Sequence, residues 1–241
     1  MVKAFKDWLV EKNVNEAQLG VVDKDININH VIYGNPVQED FEIAQNPDNE
    51  IKNWFIKEGL IEKIRSEAPL NDSEITKEDL KKLVNITSNA TAEEIMFARY
   101  VDDTSNLAQS FIDVLKENNY EISMSDFFEI DSQAEGILHF LKDLINRPRP
   151  YQLAKYYNIP LYPLIRTDAM SASYPSGHAL SAYVMSSYYG KKYPDIANKL
   201  KELGEKIAKS REITGIHYPS DTLVSKKIAE IIIQNNLIKD R

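Results

Sequence analysis

The chain has 241 residues, no cysteine and a formal net charge of -8. That length can bury a substantial core, as one large domain or as a core with an appendage, while disulfides and cysteine-based metal sites or nucleophiles are excluded. The acidic balance disfavours nucleic acid polymers and anionic membrane surfaces as partners.

The opening residues, MVKAFKDWLVEKNV, carry a charge every few positions and lack the apolar run of a signal peptide. No stretch reaches the roughly 18–20 apolar residues of a membrane helix; IAEIIIQNNLI is too short and is interrupted by Glu230 and Gln234. The expectation is a soluble, unexported, cytoplasmic protein, and the lack of cysteine agrees with it. Residues 15–48, with their Asn, Gly and Pro, read as irregular loop with one short helix. Within them Asp23-x-Asp25-x-Asn27 imitates the start of a calcium loop, but Ile28 and Gly34 stand where its glycine and bidentate glutamate belong, so it reads as a polar turn.

Residues 49–66 place Ile51, Trp54, Phe55, Ile61 and Ile64 at helical spacing and predict one helix. Thr76 ahead of Asp79, Leu80 and Leu83 predicts a start near Lys77. Thr91 with Glu94 forms a capping box that opens a helix through Phe97 and Tyr100. Leu107, Phe111, Ile112 and Leu115 predict a helix to about residue 116. Residues 125–146 carry the next, which must end near Asn146 because Pro148 and Pro150 push the residues before them out of helical conformation. Further helices are expected from Pro175 to about 189, over 194–213 with Pro194 in its first turn, and from Pro219 to about 235. The fold class is all-α, divided into an N-terminal helical and loop extension, 1–75, packed on a helical-bundle domain, 76–241.

Three blocks carry chemistry: Lys142-x6-Arg149-Pro150, Pro175-Ser176-Gly177-His178, and Ser210-Arg211-x5-His217-x3-Asp221. His217 and Asp221, four apart, share a helix face or meet across Pro219. A carboxylate on one ring nitrogen fixes the tautomer and leaves the other nitrogen as nucleophile or base. Alone, the pair is better described as a surface His–Asp contact, and no third ligand completes a metal site. Pro175 to His178 reads as a helix N-terminus with Ser176 as N-cap, where backbone N–H groups point at an anion and His178 stands ready to move a proton. Lys142, Arg149 and Arg211 supply fixed positive charge for the equatorial oxygens of a transferring phosphoryl group. The residues alone do not say which histidine attacks. His139 lies one turn before Lys142 and reads as a core or rim histidine. Asp143, Asn146 and Arg147 are candidates for the pocket edge, Arg166 and Asp168 for substrate recognition, and His30 gets no role.

Together the blocks resemble the signature of the type 2 phosphatidic acid phosphatase and vanadium haloperoxidase superfamily, and within it most closely the soluble class A acid phosphatases. The likeness includes Tyr174 and Ala179 around the second block and Gly215 and Ser220 within the third, and covers roughly residues 80–235. It implies a helical bundle of that type, a phosphomonoesterase working without metal or other cofactor, and a small phosphorylated substrate. His217 would form a phosphohistidine with Asp221 orienting it, and His178 would protonate the leaving alcohol. Lys142, Arg149, Ser176, Gly177 and Arg211 would hold the phosphoryl oxygens. A homodimer is expected by analogy, and activity is expected to be bell-shaped in pH with an optimum at about 6.5 or below. The class A enzymes are exported and usually carry cysteines, and this chain departs from both traits. The alternatives are a vanadate-dependent haloperoxidase and a phosphate-binding protein without turnover.

Overall fold

The computed structural model describes residues 27–35, 37–166 and 171–239. The Asp23-x-Asp25 turn and Asp168 lie outside these residues. Among the described residues the regular structure is helical, with no strand, as the periodicity predicts.

Helices α1 (Gln38–Gln45), α2 (Glu50–Lys57) and α3 (Leu60–Glu67) precede α4 (Glu74–Asn89). The single helix expected over 49–66 is thus two. Gly59 takes φ +69°, a left-handed conformation that only glycine adopts without cost, and breaks the run. The break still leaves Ile51 and Phe55 on one side and Ile61 and Ile64 on the other in one buried cluster. Helix α4 begins three residues before the expected Lys77. Ser73 is its cap, its Oγ accepting from the Thr76 N–H at 3.2 Å, so Thr76 lies within the first turn and is buried. Helix α5 (Ala92–Tyr100) opens on the expected capping box, with Thr91 N–H donating to Glu94 at 2.7 Å and Glu94 N–H to Thr91 at 3.2 Å.

Helices α6 (Thr104–Glu117) and α7 (Met124–Ile145) follow. Asn146 closes α7 in left-handed conformation, φ +48°, two residues before Pro148. After a short helix α8 (Pro150–Ala154) come α9 (Gly177–Lys192), α10 (Ala197–Ile213) and α11 (Pro219–Gln234). Pro194 opens a 3-10 turn, Pro194–Ile196, that leads into α10 and is not part of it.

Helix α9 is central, packed on α10, α11, α7 and α6, while α1 and α2 lie against α7. One large apolar cluster joins Phe111, Ile137, Leu141, Leu180, Val184, Leu200 and Ile228 with Phe55 and Ile61 from the N-terminal helices. The α9–α10 contact is tight at Gly204, where an added Cβ would lie 2.7 Å from Ser186 Oγ and 3.0 Å from the Ala182 carbonyl. Gly204→Ala is therefore expected to destabilise the protein. Overpacking against backbone costs about 1–3 kcal/mol and opposes a helix-propensity gain of about 1 kcal/mol, so the melting temperature should fall; an unchanged or higher one would show that the two helices can separate freely.

Candidate active site

The three blocks lie at helix ends that meet. Lys142 is in the last turn of α7, Arg149 immediately precedes α8, Ser176 to His178 begin α9, Arg211 ends α10, and His217 and Asp221 straddle the start of α11. Gly215, at φ +73°, turns the chain between α10 and α11; a Cβ there would also stand 3.2 Å from Thr87.

Asp221 sits at the third position of α11, with Pro219 at the first. Its Oδ2 accepts from the Tyr218 N–H at 3.0 Å and from Ser173 Oγ at 2.5 Å, and lies 3.2 Å from His217 Nδ1. The carboxylate that caps the helix therefore also orients the histidine. On the other side of the ring, Arg149 Nη1 lies 2.9 Å from His217 Nε2. A guanidinium only donates, so Nε2 accepts and Nδ1 carries the hydrogen given to Asp221. His217 is thereby set as a neutral imidazole with its lone pair on Nε2, beside an arginine able to transfer its bond to an arriving oxyanion.

Arg149 also donates through Nε and Nη2 to the Ser171 carbonyl at 3.0 and 2.9 Å, and Lys142 Nζ donates to the Ala172 carbonyl. The segment 171–173 thus fixes two cations by its carbonyls and Asp221 by the Ser173 hydroxyl. Arg211 donates from Nη2 to Asp102 Oδ1 at 2.6 Å. The Asp102 backbone carbonyl accepts from His178 Nε2 at 2.8 Å, which places the hydrogen of a neutral His178 on Nε2 and leaves Nδ1 as the acceptor.

Some buried donors have no acceptor in the protein: Arg211 Nε and Nη1, and Ser176 Oγ. Arg211 is 1% exposed and Ser176 0%. A buried unpaired donor costs about 1–3 kcal/mol, and an oxyanion beside them would recover that cost. Ser176 occupies the N-cap position of α9 as expected, yet its side chain makes no capping bond. Its hydroxyl remains available for a ligand.

Charge and burial set the protonation states. Burial, then Arg149, Lys142 and Arg211, push His217 well below the ordinary histidine value. Burial, then Arg211, push His178 down to about 3. Burial also lowers Lys142, with Arg149 adding to it, while it raises Asp221 against the pull of Arg147, Ser173 and the Tyr218 N–H. In the protein alone both histidines are held below the ordinary value, which differs from the sequence expectation: that value belongs to a solvated imidazole, and here three cations share a buried site.

The structure brings together Lys142, Arg149, Ser176, Gly177, His178, Arg211, His217 and Asp221. It does not bring His139 to them; that ring lies 3.4 Å from Asp40 of α1. Arg166 is exposed. Asn146 exchanges hydrogen bonds with the backbone of Gly34, at 2.9 and 3.3 Å, fastening the segment before α1 to the end of α7. Arg147, expected at the pocket edge, instead grips Asp221 Oδ1 at 2.7 Å. Asp102 and Ser173 carry no signal in the sequence. Asp102 adjoins Asp103, the ordinary cap of α6, and Ser173 is one of several serines in a loop.

Cations and unpaired donors gather around a tautomer-fixed histidine at the ends of a helical bundle, a set of groups whose chemistry suits an oxyanion. The family model of the PAP2 superfamily matches residues 133–234. The fold is that of a bacterial vanadium-dependent iodoperoxidase, at TM-score 0.55 and 16% identity over 72% of this chain and 52% of that one. It is also that of a transmembrane PAP2-type phosphatidylglycerolphosphate phosphatase from Bacillus subtilis, at TM-score 0.50 and 15% identity over 79% of this chain and 98% of that one. The chain thus spans about half the length of the iodoperoxidase it matches. No curated relative matches it. Among the described residues no helix is long and apolar enough to cross a membrane, and no cluster of His, Asp or Glu is arranged to hold a metal ion.

Proposed function

We propose that the chain hydrolyses small soluble phosphate monoesters or nucleotides through a phosphohistidine, without a metal. The observation that carries this reading is the pairing of a neutral His217, its Nδ1 on Asp221 and Nε2 toward Arg149, with the unpaired donors of Arg211 and Ser176.

His217 Nε2 attacks phosphorus and the P–O bond to the alcohol breaks. His178 supplies the proton that the departing oxygen takes. Water then attacks phosphorus, giving its proton to His178; the P–N bond breaks, its electron pair returns to His217 Nε2, and phosphate leaves. Lys142, Arg149, Arg211, Ser176 and the first N–H groups of α9 neutralise the equatorial oxygens as charge develops. The ester enters as its monoanion and gives its remaining proton to His178; the dianion so formed offsets the cations that, after burial, hold His178 low.

The test is phosphate release from p-nitrophenyl phosphate at about pH 5–7 with EDTA present, followed by a panel of nucleotides and sugar phosphates. Turnover should resist EDTA and stop with vanadate. The profile of kcat/KM should fall toward alkaline pH as the phosphate's second proton, of pKa about 6, is lost. Because His217 is held well below its ordinary value, kcat/KM should persist on the acid side down to about pH 5. An acid limb near 6.5, or a requirement for magnesium, would overturn this mechanism. Halide oxidation by peroxide after vanadate loading would assign the site to the haloperoxidase reaction instead, and tight phosphate binding with no hydrolysis would make it a binding site alone.

A further inference from the structure

The histidine–carboxylate pair is itself held from behind. Arg147 Nη1 donates to Asp221 Oδ1 at 2.7 Å, the oxygen that His217 does not use, and to Ser220 Oγ at 2.7 Å. Its Nη2 donates to Thr76 Oγ1 at 3.0 Å. The guanidinium lies 3.8 Å from the centre of the Tyr218 ring, and the side chain is 1% exposed against 0% for Asp221. Thr76 is no casual neighbour. Its hydroxyl donates to the Leu70 carbonyl at 2.8 Å, which turns its lone pairs toward Arg147. Three residues on, Asp79 accepts from the Ser220 N–H at 3.2 Å, so α4 braces both Arg147 and the first turn of α11. Thr76 and Asp79 lie outside the stretch that the family model matches.

A buried carboxylate whose only charged neighbour is an imidazole draws a proton onto the ring, and a protonated ring has no lone pair to offer phosphorus. A guanidinium on the opposite oxygen answers that charge while the hydrogen bond to Nδ1 continues to aim the ring. We propose that Arg147, fastened by Thr76, is a positioning residue that keeps Asp221 ionised and fixed while weakening its hold on a proton at His217. The inference rests on the reading of His217 as the nucleophile. The other charged or titratable groups facing the pair are Lys142, Arg149, Arg211 and His178 around His217, and the phenols of Tyr174 and Tyr218 around Asp221.

The test does not depend on turnover. The chain has four histidines, so nitrogen NMR of the imidazoles can follow His217 directly, its signals assigned by their loss in His217→Gln. In the wild type the ring should stay neutral down to the acid limit of the folded protein. In Arg147→Gln it should take up its proton within the folded range, about one pH unit or more above that limit. Arg147→Lys should return it toward wild type, and Thr76→Val should shift it the same way by less. Unchanged titration of His217 in folded Arg147→Gln, or in Thr76→Val should the first not fold, would overturn the proposal. A wild type that cleaves no ester would overturn the phosphatase reading alone, because the titration is decided separately.

Discussion

His217→Ala is expected to lose turnover by about 10^4-fold or more on every ester. No other group in the site can take its place. Lys142 and the arginines are donors only while charged, Ser176 has no base beside it, and His178 has only a backbone carbonyl, 2.8 Å from its Nε2, where a phosphorylated ring would need a carboxylate. Removing the ring also leaves Arg149 Nη1 without its contact at 2.9 Å and Asp221 without one of its partners. The variant must therefore be shown to be folded, and binding of vanadate or phosphate supplies that control. The loss should appear in kcat, with oxyanion affinity retained, because the cations and the Ser176 hydroxyl remain. A variant that still turns over at a tenth of the wild-type rate would mean that water attacks phosphorus directly and that the site only polarises the ester.

Much of this site is legible in the sequence because each of its parts marks a helix end. Pro150, Pro175 and Pro219 punctuate the chain, and the residues beside them are those that helix termini hand to an anion. The spacing of His217 and Asp221 fixes their contact almost locally, with one turn of helix and a capping carboxylate settling the geometry. Asp102 is the opposite case. It holds Arg211 across 109 positions of sequence, so no periodicity or cap rule reports it, and its neighbour Asp103 explains the dipeptide as an ordinary helix start. Thr76 is hidden for a related reason: as a threonine before a helical pattern it suggests a start, while Ser73 makes the cap and frees Thr76 to face Arg147. The break at Gly59 leaves its mark in residues 49–66 only as the glycine itself, since the apolar spacing on both sides is helical. Protonation states were the least legible. Burial and the gathering of three cations move both histidines far from their solution values, and neither quantity exists before the chain is folded.

The second large effect separates the two histidines. His178→Ala should reduce turnover of alkyl phosphates by about 10^2–10^4-fold, the usual worth of general acid catalysis. Turnover of p-nitrophenyl phosphate should suffer much less in its first step, because p-nitrophenolate departs without a proton. The second step still needs a base for water, so His178→Ala should release one equivalent of p-nitrophenol rapidly and then slow as phosphohistidine accumulates on His217. That burst, read by rapid mixing and by an acid-labile, alkali-stable phosphoryl group on the protein, distinguishes the assignment from its reverse. If His178 were the nucleophile and His217 the acid, His178→Ala would give no burst and no phosphoprotein, and His217→Ala would give both. The structure supports the first assignment on one ground above the others: only His217 has a carboxylate on Nδ1 at 3.2 Å, and that contact stabilises the positive charge an imidazole gains when its other nitrogen bonds to phosphorus. His178 has only a neutral carbonyl, on its Nε2, enough to orient a proton carrier but not to stabilise a covalent cation.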